Sequence, residues 1–264
     1  MKRKALFFDI DGTLLTEGTR ILPESAEEAL KKARAAGHLV FINTGRSRCL
    51  MQELEDRVEV DGYLCGCGTL IELQGKICMH HLLSAKRRME IQLAIREYGL
   101  DGILEGPNGI YVQPGTSHIP GVQRIKDLFL GSGVMFAADW TEKPLLFDKF
   151  CIRWDRDSDL DGFLKFLEPD VAAIDRGHNL YECVPAGFDK ATAMEFVLND
   201  FGIPWEESYA FGDSSNDLAM IRYACHSVIM EEHAAVLEPY AELITKKVED
   251  DGIAHAFELL RIIE

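Results

Sequence analysis

The sequence lacks the features that mark secreted and membrane-spanning proteins. Its seven cysteines are an odd number scattered from Cys49 to Cys225, which does not resemble a disulfide framework. No apolar run approaches the roughly 20 residues that a membrane-spanning helix needs. The N-terminus has neither the apolar stretch nor the small-residue cleavage site of a signal peptide. We therefore expect a soluble, cytoplasmic protein.

Basic residues are scarce relative to acidic ones. The chain has 28 Lys and Arg against 44 Asp and Glu, which gives a formal net charge of -16. Because such a surface repels nucleic acid and anionic membranes, we expect neither as a partner. An anionic substrate would require a local positive side chain or a bound cation. The 264 residues suffice for one large domain or two modest ones.

Predicted strands and helices alternate in the first and last thirds of the chain. The strand predictions are 5–10, 38–43, 62–67, 208–211, 227–230 and 242–245. The helix predictions are 23–36, 51–58, 189–201, 216–224 and 253–263. Near-continuous apolar strands separated by helices predict a Rossmann-like α/β fold, in which helices cover both faces of a parallel sheet.

The middle third has a different pattern, in which helices alternate with hairpins. The helix predictions are 84–98, 122–130 and 160–167, and the strand predictions are 102–105, 110–113, 147–154, 171–175 and 180–184. This mixture predicts an α+β unit with an antiparallel sheet. We expect an α/β core formed by residues 1–83 and 187–264, with a second domain inserted at 84–186.

Four short motifs follow predicted core strands or open the next helix. They are Asp9-Ile10-Asp11-Gly12-Thr13, Asn43-Thr44-Gly45-Arg46, Gly187-Phe188-Asp189-Lys190 and Phe211-Gly212-Asp213-Ser214-Ser215-Asn216-Asp217. Open α/β sheets bind ligands at the carboxyl ends of their strands. Asp9 and Asp11 can point the same way at a strand end, and buried acids require a cation or another partner.

In their order along the chain, these motifs resemble those of the haloacid dehalogenase superfamily of phosphotransferases. Within it, the sequence resembles the Cof-type phosphatases, which carry a large α+β cap between the second and third motifs. The tail, Leu243-Ile244-Thr245 followed by Glu249-Asp250-Asp251-Gly252-Ile253, also matches. The resemblance implies a Mg²⁺-dependent phosphatase that acts on small phosphorylated metabolites, with sugar phosphates as the favoured class.

The resemblance also assigns the catalytic and metal-binding residues. Asp9 is implied as the nucleophile that forms an aspartyl-phosphate, and Asp11 as the acid that protonates the leaving alcohol and later accepts a proton from water. The Mg²⁺ ligands are implied to be the Asp9 carboxylate, the Asp11 backbone carbonyl and the Asp213 carboxylate, with Asp217 in support.

Five further residues are implied to contact the substrate phosphate. Thr44 would offer its hydroxyl, Gly45 would let the backbone approach closely, and Lys190 would supply a fixed positive charge. Asn216 and Arg46 would contact the phosphate or its surroundings. Which cap residues meet the rest of the substrate cannot be deduced from these motifs, and the turns at 106–108 and 176–178 are the candidates.

The sequence departs from the family pattern at two places. Where many Cof-type proteins have an Asn-Gly pair after the third strand, this chain has Cys65-Gly66-Cys67-Gly68-Thr69. In many family members a Gly-Asn-Ala follows the next strand after the fourth motif. This chain has Met230-Glu231-Glu232 at that place. Neither place holds the implied nucleophile, acid or metal ligands, so both departures concern contacts on the substrate side.

Other functions remain open at this point. A phosphomutase could use the same core, and a non-catalytic sensor could bind a phosphorylated metabolite at the same motifs. The intact pair Asp9 and Asp11 argues against the sensor, because simple binding gains nothing from two uncompensated acids. A calcium loop is excluded, because Leu14 and Arg20 stand where such a loop requires Gly and Glu.

Overall fold

The computed structural model describes residues 2–263, which divide into two compact units. The first, here called the core unit, consists of the chain up to Gly45, Gln52–Met79 and the chain from Asp189 onward. The second, the cap unit, consists of Arg46–Met51 and His80–Phe188. The insert predicted at 84–186 omits the short Arg46–Met51 segment, which backbone contacts group with the cap unit.

The N-terminal part of the chain alternates strands and helices and then forms a hairpin. Its elements are β1 (Ala5–Phe8), α1 (Glu24–Ala35), β2 (Leu39–Asn43), α2 (Gln52–Glu55), β3 (Gly62–Cys65), β4 (Leu70–Leu73) and β5 (Lys76–His80). The helix predicted at 51–58 is wrong in length, because only the single turn α2 forms. The β4–β5 hairpin was not predicted, although Gln74 and Gly75 both adopt the positive φ of a tight hairpin turn.

The middle of the chain forms the α+β cap unit. Its elements are α3 (Ala85–Glu97), β6 (Asp101–Gly106), β7 (Gly109–Val112), α4 (Pro120–Phe129), β8 (Met135–Ala137), β9 (Lys149–Arg153), α5 (Leu160–Leu167), β10 (Val171–Asp175) and β11 (Leu180–Pro185). Among residues 2–263, these strands form a six-stranded sheet in the order β10-β11-β9-β6-β7-β8. Ser84 caps α3 as predicted, because its hydroxyl accepts a hydrogen bond from the Arg87 N–H at 3.1 Å.

The C-terminal part of the chain completes the core unit. Its elements are α6 (Lys190–Phe201), β12 (Ser208–Gly212), α7 (Leu218–Tyr223), β13 (His226–Ile229), β14 (Leu243–Ile244) and α8 (Gly252–Leu259). Helix α6 begins after Asp189, whose carboxylate accepts from the Thr192 N–H, and ends at Gly202 in the left-handed conformation. Across residues 2–263, every helix is too short or too polar to cross a lipid bilayer.

The core sheet confirms the predicted fold class. Within the described residues it has eight strands in the order β14-β13-β12-β1-β2-β3-β4-β5, and the pairs from β14 to β3 are parallel. Strand β1 is central, and its four residues Ala5–Phe8 are fully buried. This matches the expectation that a parallel strand covered on both faces reads as a continuous apolar run.

Candidate active site

Three adjacent parallel strands bring three of the sequence motifs to one edge of the core sheet. Asp213, Asp9 and Thr44 directly follow β12, β1 and β2, which lie side by side in that order. Phe8 pairs with Ile42, so β1 and β2 end almost level with each other. Because parallel strands run in one direction, their carboxyl ends collect these side chains at the edge where α/β sheets bind ligands.

Lys190 joins two carboxylates of this edge. It is the first residue of α6 and is fully buried. Its Nζ donates to Asp9 Oδ1 at 2.6 Å and to Asp217 Oδ1 at 2.5 Å. The side-chain amide of Asn43, at the end of β2, donates to the Lys190 carbonyl at 2.8 Å, which ties the start of α6 to the sheet. The fixed positive charge predicted for Lys190 thus lies against the predicted nucleophile.

Asp217 organises the loop that follows β12. Its Oδ2 accepts hydrogen bonds from the backbone N–H groups of Asp213 at 2.9 Å and Ser214 at 2.8 Å. Gly212 fits tightly beside it, because a Cβ there would lie 2.7 Å from the Asp217 carboxyl carbon. One fully buried carboxylate therefore positions both the loop that carries Asp213 and the Lys190 ammonium.

Asp213 is held by the loop that follows β1. Its Oδ1 accepts a hydrogen bond from the Thr13 hydroxyl at 2.7 Å. Gly12 has a φ of +84°, and a Cβ there would lie 2.5 Å from Asp213 Oδ2, so both the turn and the close approach require glycine. Thr13 was missing from the predicted site residues. Its place immediately after Asp11-Gly12 was the available signal.

Burial and mutual repulsion raise the pKa values of two of these carboxylates. Burial raises the pKa of Asp9 to about 7, since the repulsion from Asp217 adds to desolvation and the attraction of Lys190 offsets only part of it. Burial, followed by repulsion from Asp9 and Asp217, raises the pKa of Asp213 to about 8. The site therefore holds more acid than its own lysine neutralises.

The lysine itself stays charged. Burial alone would lower the pKa of Lys190, but Asp217 and Asp9 more than offset that cost and hold the pKa well above its usual value. A lysine that is charged at neutral pH, and fixed by two hydrogen bonds, can stabilise negative charge without reorganising during a reaction.

The carboxylates also form a group that fits a divalent cation. One oxygen each of Asp9, Asp213 and Asp217 lies within 4.8 Å of the others, and all three residues are buried. An all-oxygen donor set with excess negative charge suits Mg²⁺ or a similar hard cation. Asp11 lies outside this carboxylate group and is exposed. Its predicted contribution to the metal is a backbone carbonyl, and this stays a prediction.

Thr44 and Gly45 occupy the loop after β2. Thr44 is buried, its N–H donates to the Leu64 carbonyl at 2.8 Å, and its carbonyl accepts from the Cys67 N–H at 3.0 Å. Cys67 stands in the stretch that departs from the family pattern and adopts a positive φ of 54°. These backbone bonds fix the loop whose hydroxyl and N–H groups are predicted to bind phosphate.

The last two predicted phosphate contacts differ in their placement. Asn216 lies in the turn that leads into α7, and its amide oxygen accepts a hydrogen bond from the Ser214 hydroxyl at 2.9 Å. Arg46 follows Gly45 in the chain but belongs to the cap unit. The structure thus brings together Asp9, Lys190, Asp213 and Asp217. It places Thr44, Gly45 and Asn216 in loops after neighbouring strands. The phosphate contacts of these three residues and of Arg46 stay predictions.

Comparisons with known proteins point to one family. The sequence model described as haloacid dehalogenase-like hydrolase matches residues 6–257. A Bacillus subtilis protein named 5-amino-6-(5-phospho-D-ribitylamino)uracil phosphatase YwtE is 27% identical, over 97% of this chain and 98% of its own length.

Solved structures agree with this result. The structure described as the haloacid dehalogenase subclass IIB sugar phosphatase BT4131 is 26% identical, with a TM-score of 0.85 over 98% of this chain and 100% of its own. The phosphatase BT1666 from Bacteroides thetaiotaomicron is 25% identical, with a TM-score of 0.84 over 99% of this chain and 96% of its own. These similarities extend over both compact units.

Proposed function

Because the chain belongs to the haloacid dehalogenase-like hydrolases and is a phosphoric monoester hydrolase, we propose that it is a Mg²⁺-dependent phosphatase of small phosphorylated metabolites, with sugar phosphates as the favoured class. The observation that carries this proposal is the buried group of Asp9, Asp213, Asp217 and Lys190 at the carboxyl edge of the core sheet. The group combines a nucleophile, a fixed cation and an oxygen-lined metal site.

In the first step, a carboxylate oxygen of Asp9 attacks the phosphorus atom of the ester. The bond between phosphorus and the ester oxygen breaks, and the leaving oxygen takes a proton from the Asp11 carboxyl group. The alcohol departs, and the phosphoryl group stays on Asp9. The exposure of Asp11 and its place two residues after the buried Asp9 suit these two roles, since the acid must exchange protons with water.

In the second step, the Asp11 carboxylate takes a proton from a water molecule, and the water oxygen attacks phosphorus. The bond between phosphorus and the Asp9 oxygen breaks, which releases inorganic phosphate and regenerates both aspartates. The two steps together convert one ester and one water into an alcohol and phosphate.

Negative charge on the phosphoryl oxygens is the main obstacle to both steps. Lys190 contributes a fixed positive charge that already contacts the nucleophile. Asp9, the Asp11 carbonyl and Asp213 would hold Mg²⁺, with Asp217 in support, and the bound ion would add positive charge beside the phosphoryl oxygens. Thr13, through its hydrogen bond to Asp213, orients a metal ligand.

The remaining predicted contacts would bind the phosphoryl group itself. The Thr44 hydroxyl and the backbone at Gly45 follow β2, one strand away from the nucleophile. Asn216 sits in the turn between Asp213 and α7, and Arg46 continues the chain from Gly45. Donors from separate loops around one phosphoryl group would hold it in line with the Asp9 oxygen.

The substrate class rests on the similar proteins. The names of YwtE and BT4131 describe phosphatases of a ribityl compound and of sugars, respectively, and both are similar to this chain over nearly its whole length. A small metabolite bearing a phosphate and several hydroxyl groups is therefore the proposed substrate.

The test is a phosphate-release assay on the purified protein with Mg²⁺ and a panel of phosphorylated metabolites. We expect the wild type to release inorganic phosphate and Asp9→Asn to lower kcat by on the order of 10⁴-fold or more, because the nucleophile is removed. Asp101→Asn is the matched control, since Asp101 is an equally buried aspartate of the cap unit. It should retain most of the activity.

The outcomes separate the candidate functions. Full activity of an Asp9→Asn preparation shown to contain no wild-type protein would mean that the assigned nucleophile is wrong. An isomeric phosphate ester as the product, instead of inorganic phosphate, would indicate a phosphomutase. Thermal stabilisation by phosphorylated compounds without turnover of any of them would indicate a sensor.

A further inference from the structure

The turn after β3 lies between two parts of the candidate active site. Gly66, Cys67 and Gly68, here called the β3–β4 turn, connect β3 to β4 within the core unit, and all three are buried. Each adopts a positive φ, of 60°, 54° and 90° respectively. The Thr69 hydroxyl closes the turn by donating to the Gly66 carbonyl at 3.0 Å. The turn coincides with a stretch that departs from the family pattern.

Cys67 is the residue of this turn whose backbone conformation is unusual. Glycine adopts the left-handed conformation freely, whereas a residue with a side chain does so uncommonly, and asparagine tolerates it better than most. A β-branched residue in this conformation is a genuine outlier. A strained conformation persists only where the surrounding structure imposes it, so the contacts of the turn should account for it.

On one side, the β3–β4 turn holds the loop that carries Thr44. The Cys67 N–H donates to the Thr44 carbonyl at 3.0 Å, and the Thr44 N–H donates to the Leu64 carbonyl of β3 at 2.8 Å. The backbone of Thr44 is therefore bound on both sides by β3 and its turn. Because φ and ψ of Cys67 set the direction of its N–H relative to the chain that follows, a residue that avoids the left-handed region would move this donor or the rest of the turn.

On the other side, the turn packs against the first turn of α6. A Cβ at Gly68 would overlap the Asp189 carbonyl oxygen and would lie 3.3 Å from Ala193 Cβ, so the backbone of the turn contacts the start of the helix directly. Burial opposes the charge on Lys190, the two aspartates that it contacts outweigh burial, and Cys67 is the next contributor to its raised pKa. The Cys67 sulfur thus lies within electrostatic reach of the Lys190 ammonium.

We propose that Cys67 is a positioning residue of the phosphatase site. Its left-handed backbone holds the Thr44 loop and the start of α6 against one turn, and thereby fixes the predicted phosphate-binding hydroxyl relative to the Lys190 ammonium. The inference rests on the proposed function and goes beyond it by adding a residue that acts on the phosphoryl group through two others. The requirement is for the backbone conformation of Cys67, and its thiol is dispensable.

The test replaces Cys67 with residues that differ in their tolerance of the left-handed conformation. Cys67→Gly and Cys67→Asn can adopt it, whereas Cys67→Val cannot do so without strain. With para-nitrophenyl phosphate and saturating Mg²⁺, we expect the first two variants to retain most of kcat. The valine variant should lower kcat by at least about tenfold, because small displacements of positioned groups are costly in rate. Inorganic phosphate should also inhibit the valine variant more weakly, because the Thr44 loop is displaced.

Gln74→Val is the matched control. Gln74 has a φ of 50° in the β4–β5 hairpin of the same unit, and its side chain is exposed. The same strained substitution at this position should lower Tm but leave kcat per folded molecule unchanged. Thermal unfolding gives the folded fraction of each variant, so that a merely structural role of Cys67 would appear as a lower Tm with an unchanged kcat per folded molecule.

The contrary results differ in what they overturn. If the wild type releases no phosphate from this ester or from a wider panel, the proposed function fails and the inference with it. If the wild type is active and folded Cys67→Val keeps its kcat, the inference alone is overturned. If the glycine and asparagine variants lose as much kcat as the valine variant, the thiol is required, and the inference is likewise overturned.

A second variant serves if Cys67→Val does not fold. Cys67→Ala has no branched side chain but tolerates the left-handed conformation less well than asparagine or glycine. It should lower kcat by a smaller factor than the valine variant, and its kcat should be lower than that of Cys67→Asn. An alanine variant as active as the asparagine variant would then overturn the inference.

Discussion

Two lysines of this chain, one in each compact unit, bridge a pair of buried carboxylates. In the core unit, Lys190 lies 2.6 Å from Asp9 and 2.5 Å from Asp217. In the cap unit, Lys149 lies 2.6 Å from Glu182 and 3.2 Å from Glu105. Both lysines are almost fully buried. The local geometry is nearly the same, but we expect the two lysines to have different roles.

The core group carries more buried acid than its lysine neutralises. The core group contains a third buried carboxylate, Asp213, so three acids face one lysine, and the pKa values of Asp9 and Asp213 rise to about 7 and 8. In the cap unit, Arg176 also approaches Glu182, to 4.0 Å. Among residues 2–263, a cluster of carboxylates that could hold a metal ion occurs only in the core unit. The excess of buried acid in the core group calls for a bound cation.

Removing each lysine in turn is the strongest test of whether Lys190 and Lys149 have different roles. Both Lys190→Met and Lys149→Met should lower the free energy of unfolding by about 3–5 kcal/mol, because each leaves buried carboxylates without their counter-charge. Lys190→Met should also lower kcat for para-nitrophenyl phosphate by roughly 10²–10³-fold, since a fixed charge at the phosphoryl group is lost. Lys149→Met should lower it far less. Urea unfolding and steady-state kinetics with saturating Mg²⁺ measure both effects.

Equal losses of kcat in the two lysine variants would contradict the division of tasks. Such a result would place both lysines in one catalytic group, or would make both of them structural. The unfolding measurement separates these two cases, because a purely structural loss of kcat should follow the fraction of folded protein.

The second prediction concerns the excess acid of the core unit. In the metal-free protein, Asp9 and Asp213 have pKa values of about 7 and 8 against an ordinary value of 3.8. A carboxyl group whose pKa is raised by folding stabilises the fold below the ordinary pKa, and this contribution is lost as pH rises through the folded value. The metal-free protein should therefore lose stability between about pH 4 and 8.

Mg²⁺ should reverse this loss, because it competes with protons for the same oxygens. We expect the apparent affinity for Mg²⁺ to rise at least about tenfold from pH 6 to pH 8, and the Mg²⁺-induced increase in Tm to be larger at pH 8. Thermal unfolding at matched ionic strength measures both. Asp213→Asn should abolish most of the difference, and an equal Tm increase at both pH values would refute the prediction.

The sequence was informative about the core unit because its chemistry follows strand ends. Asp9, Thr44 and Asp213 each come directly after an apolar run, and parallel strands must deliver such residues to one edge. Lys190 could be placed with them only through the family resemblance. The contact that holds Lys190 in place depends on the packing of the first residue of α6 against the sheet. No local sequence pattern predicts this packing.

The contacts of Lys149 with two glutamates could not be predicted from the sequence for a related reason. Glu105, Lys149 and Glu182 are 44 and 33 residues apart, and only the order of strands in the cap sheet brings them together. The turns at 106–108 and 176–178 are candidate substrate contacts only because turns are easy to recognise in a sequence, and they stay predictions. The placement of Arg46–Met51 in the cap unit likewise depends on how Cys49 and Leu50 pack.

The smallest expected effect compares the helix caps of the two units. Ser84 caps α3 through the Arg87 N–H at 3.1 Å, and Asp189 caps α6 through the Thr192 N–H at 2.8 Å. Alanine at either position should lower the free energy of unfolding by about 1 kcal/mol, since one backbone donor loses its partner. If the N-cap of α6 also matters for catalysis, the two variants should differ in kcat, because Lys190 is the residue that follows Asp189.

We expect Asp189→Ala to lower kcat by roughly fivefold and Ser84→Ala to leave kcat unchanged. A displaced first turn of α6 would move the Lys190 ammonium away from Asp9, and small displacements of a positioned charge reduce its stabilisation of the reacting group. Asp189→Asn is the conservative control, since asparagine also caps helices well and should restore most of the activity. Unchanged kcat in Asp189→Ala would mean that Lys190 is held by its two carboxylates alone, and that the start of α6 contributes only stability.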